Sequence, residues 1–117
     1  MIQPPAKSAI RHIVMWDVRG ATPEEKAASA ALVRAEFEAL RGRIPGMTRL
    51  EIGLDSSRIS YACDMVLLTE FISEDALRDY ATHPLHLRAR DNLEGLRIAR
   101  HQVDYAIPAH ATAEAAE

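Results

Sequence analysis

The ten residues from Tyr80 to Ala89, YATHPLHLRA, hold two of the chain's five histidines, His83 and His86, with Pro84 between them and Tyr80 a helical turn upstream. A tyrosine and a histidine at this spacing supply an acid–base pair: a phenol to polarise a carbonyl oxygen and a neutral imidazole to take a proton. Pro84 sets the local geometry. It lacks an N–H and clashes with the preceding turn, so the upstream helix must stop near Thr82. Its fixed φ suits the first position of a second, short helix, with His83 or Thr82 as the cap. His86 then falls in a first turn, where the positive dipole end disfavours imidazolium. The competing reading contains no chemistry: histidines at a helix junction also serve as caps or packing residues.

Composition narrows the field. A chain of 117 residues makes one domain and buries about two-thirds of the surface its unfolded form exposes. Hydrophobic residues at 48% and charged residues at 26% describe an ordinary globule. A net charge of −3 offers no basic footprint, so no nucleic-acid partner is expected. Cys63 stands alone, which excludes an intrachain disulfide and makes the cytoplasm the default address. No apolar run approaches a bilayer span and the N-terminus lacks the apolar core of a signal peptide, so no membrane partner is expected.

The elements that must position the pair follow in order. Residues 1–9 hold two prolines and no periodicity, and read as a flexible arm; 108–117 read as a flexible tail, and 10–107 as the domain. Ile10 to Val18 is a strand with apolar side chains on both faces. Thr22-Pro23-Glu24-Glu25 is a capping box opening a helix that runs to about Gly42, with Ala30, Val33, Phe37, Leu40 and Ile44 along one stripe. Ile44-Pro45-Gly46-Met47 is a turn. Strands follow at Thr48 to Asp55 and Asp64 to Phe71, then helices at Glu74 to Thr82 and Pro84 to Leu93, then a last strand from Arg97 to Ile107. The order β-α-β-β-α-β is that of an α+β, ferredoxin-like fold: a four-stranded antiparallel sheet with helices on one face.

That plan leaves too much apolar surface. Helices cover one sheet face, yet the other carries Ile13, Met15, Val66, Leu68, Val103 and Tyr105, a patch too large for a soluble monomer. A two-fold homodimer, sheet face against sheet face, hides it.

Strand alternation also says which side chains can meet. His12, Val14 and Trp16 lie beneath Val33 and Phe37, and Tyr80, His83 or His86, and Asp104 converge on the same layer. Asp104 is the carboxylate that would orient His86 as a general base. Leu50, Leu67 and Phe71 would give apolar walls to a small-molecule pocket. A metal is the first rival, since His83, His86 and His12 offer three nitrogens. Pro84 interrupts the spacing and only Asp91 is acidic nearby, so neither metal nor other cofactor is expected. Arg88, Arg90, Arg97 and Arg100 form a loose basic group, read as solvated surface or as a steering field for an anion.

Ile10-Arg11-His12-Ile13-Val14-Met15-Trp16, Ile44-Pro45-Gly46-Met47, Gly53-Leu54-Asp55, Asp79-Tyr80 with His83-Pro84-Leu85-His86, and Val103-Asp104-Tyr105 together resemble the stress-responsive dimeric α/β-barrel (Dabb) family. The resemblance spans Ile10 to Ile107, and the H-P-x-H element with the early strand histidine is its most specific part. It implies a homodimer whose two sheets form a barrel. The family includes stress-induced plant proteins without an assigned reaction and olivetolic acid cyclase, a polyketide cyclase. From that cyclase the resemblance implies acid–base roles for Tyr80 and His86, with His12 and Asp104 also matched. It would act on a ketide-like or aromatic molecule by cyclisation, isomerisation or decarboxylation. A cofactor-free monooxygenase and a non-enzymatic, ligand-binding stress protein are the alternatives.

Overall fold

The structure, a computed structural model, describes residues 8–108; the proposed arm and tail lie, apart from Ser8, Ala9 and Pro108, outside the described residues. The elements are β1 (Ile10–Val18), α1 (Pro23–Glu38), β2 (Met47–Leu54), β3 (Met65–Phe71), α2 (Glu74–Ala81), α3 (Pro84–Asn92) and β4 (Arg97–Ala106). The strands form one sheet in the order β2-β3-β1-β4, every neighbouring pair antiparallel. This is the ferredoxin-like plan, with all three helices on one face.

Local signals explain the boundaries. Thr22 caps α1 by accepting from the Glu25 N–H at 3.1 Å, and Glu25 returns a bond to the Ala21 N–H at 2.8 Å. Ser73 caps α2 through the Ala76 N–H. The first helix ends at Glu38, short of the expected Gly42. Tighter turns follow, Leu40 N–H to Phe37 O and Arg43 N–H to Leu40 O. They still carry Leu40 and Ile44 into the core. At the reversal into β2, Gly46 has φ +81°, and a Cβ there would lie 2.6 Å from that of Ala76. Only glycine fits both demands.

Burial is one-sided. Ile10, His12, Val14, Trp16 and Val18 of β1 meet Met65, Leu67, Thr69 and Phe71 of β3 on the helix face, all buried. Val33 and Phe37 of α1 and Tyr80 of α2 close over them. On the opposite face, Met15, Val103 and Tyr105 are exposed and Ile13, Val66 and Leu68 half-buried. The expectation that both faces of β1 are buried therefore fails within a single chain. Among the described residues, nothing covers the second face.

Candidate active site

The helix-facing layer brings His12, Tyr80, His86 and Asp104 together by three routes. His12 and Asp104 are partners in the β1–β4 ladder. His12 Nδ1 lies 2.5 Å from Asp104 Oδ1, and Gln102 Nε2 donates to the other carboxylate oxygen at 3.0 Å. Because a carboxylate only accepts, His12 Nδ1 carries the proton of this bond.

Tyr80 arrives from the last turn of α2. Its ring sits between Phe71, with centroids 5.2 Å apart, and His86, at 4.3 Å, with the edge of His12 at 6.3 Å. Burial pushes its hydroxyl up to about 12, against the pull of the Arg97 and Arg100 charges. The phenol therefore stays protonated, a donor able to polarise a carbonyl.

His86 comes from the first turn of α3. Its Nδ1 is 3.1 Å from the Ala81 carbonyl across the proline junction. A carbonyl cannot donate, so Nδ1 holds the hydrogen and the neutral ring keeps its Nε2 lone pair free. Burial lowers its pKa, the Ala81 bond opposes that, and Arg97, Arg90 and His12 lower it further. The result is a neutral imidazole with a defined basic nitrogen.

Several expectations change. Asp104 orients His12 and not His86, because ladder register sets it opposite β1 while His86 is tied to α2. Tyr80 and His86 touch by their rings, tilted 43°. His83 caps α3, its Nδ1 accepting from the Leu85 N–H at 3.1 Å, which is the junction role. Val14, Val33, Phe37, Leu50, Leu67 and Phe71 fill the space between sheet and helices as packed core, each 5% exposed or less. Among the described residues, no three His, Cys, Asp or Glu side chains are grouped to hold a metal ion.

Open space lies in several places, including a cavity of about 410 Å³ bordered by Ile10, Leu77, Asp104 and Tyr105 and one of about 430 Å³ bordered by Val18, Lys26, Leu54 and Asp64. A cavity of about 300 Å³ runs beside Trp16, between the end of α3 and the start of β4. The Arg97 guanidinium stacks there, 5.2 Å from the Trp16 ring centroid and 5.3 Å from that of Phe37. Regular alternation along β4 would place Arg97 on the same side as Val103. A bulge reverses it, as Ala99, with φ +51°, interrupts the ladder between Ile98, opposite Asp17, and His101, opposite Met15. Asp64 was also missed. This buried carboxylate accepts from the Val18 N–H at 2.9 Å and from Lys26 Nζ at 3.0 Å. Burial raises its pKa, but those bonds and Arg58 outweigh it, and it is lowered overall. Its only sequence signal is a lone acid at the head of an apolar strand.

A helix-covered βαββαβ sheet with an imidazole–tyrosine layer defines a ferredoxin-like α+β protein. The chain belongs to the stress responsive A/B barrel (Dabb) family, whose sequence profile matches residues 10–107. A dimeric ferredoxin-like protein of unknown function from Bacteroides fragilis is 31% identical, with a TM-score of 0.74 over 85% of this chain and 96% of that one. A hydroxynitrile lyase from Passiflora edulis is 15% identical, with a TM-score of 0.73 over 88% and 96% of the two chains. SnoaB, a cofactor-independent oxygenase from Streptomyces nogalater, is 19% identical, with a TM-score of 0.68 over 86% and 94%. The last two establish likeness of fold. No curated protein matches the sequence.

Proposed function

We propose that this chain is a homodimeric, cofactor-independent acid–base catalyst that acts on a small, largely apolar ketide-like or aromatic molecule. One observation carries the reading. His86 is fixed by the Ala81 carbonyl so that its free basic nitrogen is Nε2, and its ring lies 4.3 Å from a tyrosine that stays protonated. Tyr80 would donate to a substrate carbonyl as negative charge develops on its oxygen, and His86 Nε2 would accept the proton released from carbon or hydroxyl. His12, held by Asp104, contributes a second imidazole at the edge of Tyr80. Cyclisation, isomerisation and lyase chemistry all use this pair, and a hydroxynitrile lyase shares the fold. The exposed apolar sheet face and the dimeric relatives support the homodimer. The solitary cysteine supports a cytoplasmic setting.

The packed layer around Phe71 and Val33 favours a second reading, a non-enzymatic ligand-binding stress protein, in which the imidazoles serve packing. Incubation with β-ketide thioesters and hydroxylated aromatics, under nitrogen and under air, separates the readings. Oxygen-independent turnover lost in Tyr80→Phe and His86→Gln supports acid–base catalysis. A requirement for oxygen identifies a monooxygenase, and saturable binding without turnover identifies a binding protein.

A further inference from the structure

The cavity beside Trp16 contains an electrostatic imbalance that the acid–base pair does not use. Arg90, Arg97 and Arg100 line it, opposed by Asp91 and Glu94. Arg90 has Asp91 at 3.9 Å, whereas neither Arg97 nor Arg100 has a carboxylate within 4 Å among the described residues. Arg97 is half-buried against Trp16 and Phe37, and a partly desolvated guanidinium without a counter-ion is costly. A second polar group is also orphaned. Trp16 is 1% exposed, and its Nε1–H is buried without an acceptor among the described residues. A buried indole N–H ordinarily finds a partner.

The backbone brings the two arginines together. Positions 97 and 100 are three apart, so on a regular strand they would face opposite sides of the sheet. The bulge sets Ala99 and Arg100 against the single residue Trp16, and both arginines line the same cavity. That arrangement requires Ala99 to hold a left-handed φ of +51°, which a residue with a Cβ adopts only at a cost.

We propose that this cavity is a carboxylate-binding site, in which the Arg97 guanidinium holds the carboxylate against the Trp16 wall and Arg100 supplies further positive charge. A planar guanidinium fork matches a carboxylate in bidentate fashion. Asp91 and Glu94 at the rim favour a monoanion over a phosphate dianion. A cavity of about 300 Å³ suits one acid group with a small ring or short chain. Assigning the carboxylate to the molecule acted on by Tyr80 and His86 rests on the function proposed above. It is supported by the Arg97 and Arg100 charges, which act on the Tyr80 hydroxyl. The substrate or product is then an aromatic or ketide-like acid.

Trp16 is the chain's sole tryptophan, so its fluorescence reports the site directly. Titration of the full chain with benzoate, benzamide and inorganic phosphate tests the assignment, with calorimetry as a second readout. Benzoate should bind saturably and shift the emission, and neutral benzamide should bind at least about tenfold more weakly. Arg97→Gln should weaken benzoate about tenfold or more, and Arg97→Lys should restore part of it. Equal binding of benzoate and benzamide overturns the proposal, as do wild-type affinity in Arg97→Gln, tighter binding of phosphate, or no benzoate binding at all. Tyr80→Phe and His86→Gln separate this from the catalytic reading. If benzoate binds these variants normally while no substrate turns over even in the wild type, the carboxylate site stands and the acid–base function falls.

Discussion

His12 and Asp104 are directly opposed across the β1–β4 ladder, and their side chains meet on the helix face at 2.5 Å. The imidazole is almost sealed, at 8% exposure, while the carboxylate remains 34% exposed. Solvent therefore screens part of the attraction, and a coupling of about 1 kcal/mol is expected. Urea unfolding of Asp104→Asn, His12→Gln and the double variant measures it by a double-mutant cycle. Additive single effects would show that the pair has no energetic coupling.

Protonation of His86 should erode stability. Burial, then the Arg97, Arg90 and His12 charges, place its folded pKa below the unfolded value of about 6.5. Between those two values the unfolded chain binds more protons, so stability rises with pH there and falls as pH drops below about 6.5. Thermal melts from pH 7.5 to 4.5 should show wild type losing Tm faster than His86→Gln on the acid side. Parallel slopes in the two proteins would exclude His86 as the group responsible.

Tyr80→Phe should separate structure from chemistry. The ring keeps its contacts with Phe71 and His86, so unfolding free energy should change by less than about 1 kcal/mol. Once a turned-over substrate is in hand, the rate should fall about a hundredfold, because only the donor is gone. A catalytically normal variant would leave the phenol with a packing role alone.

Much of this layout follows from periodicity and punctuation. The capping box at Thr22, the turn at Pro45-Gly46 and the break at Pro84 locate the adjoining element ends within a residue or so, because each acts through its own backbone, whereas the end of α1, with no such signal, falls at Glu38 and not near Gly42. Alternation along β1 placed His12 and Trp16 on the helix-covered face, Trp16 against Phe37 of α1 and His12 against Tyr80 of α2. It failed at Arg97, where the bulge inverts strand parity. An alanine at φ +51° gives no compositional warning, as a glycine would have done. Alternation also placed Asp104 on the right face, but the sequence reading gave it to His86, whereas inter-strand register sets it against His12. The helix dipole suggested a neutral His86, but the Ala81 carbonyl, five residues away across the junction, fixes which nitrogen is free. The stripe of Val33 and Phe37, read as pocket wall, is packed core in the protomer, and one cavity opens beside Trp16.

The open face of the sheet gives the last test. Val103 is 52% exposed and Met15 39%, with Tyr105 at 37%, and none of them packs into the protomer core. A charge placed there should cost the protomer little, yet it would bury an unpaired ion wherever two such faces meet. Val103→Asp combined with Met15→Lys on the same chain is unsuitable, because opposite charges could pair across a two-fold axis. Val103→Asp with Met15→Asp avoids that. Light scattering should give wild type twice the 13.0 kDa chain mass and the double variant the chain mass alone, with the far-ultraviolet dichroism unchanged. The wild-type Tm should also rise with protein concentration and that of the variant should not, since association stabilises only the folded chain. A wild type that runs as a monomer at all concentrations would leave the apolar face unexplained and would remove the dimer from the functional reading.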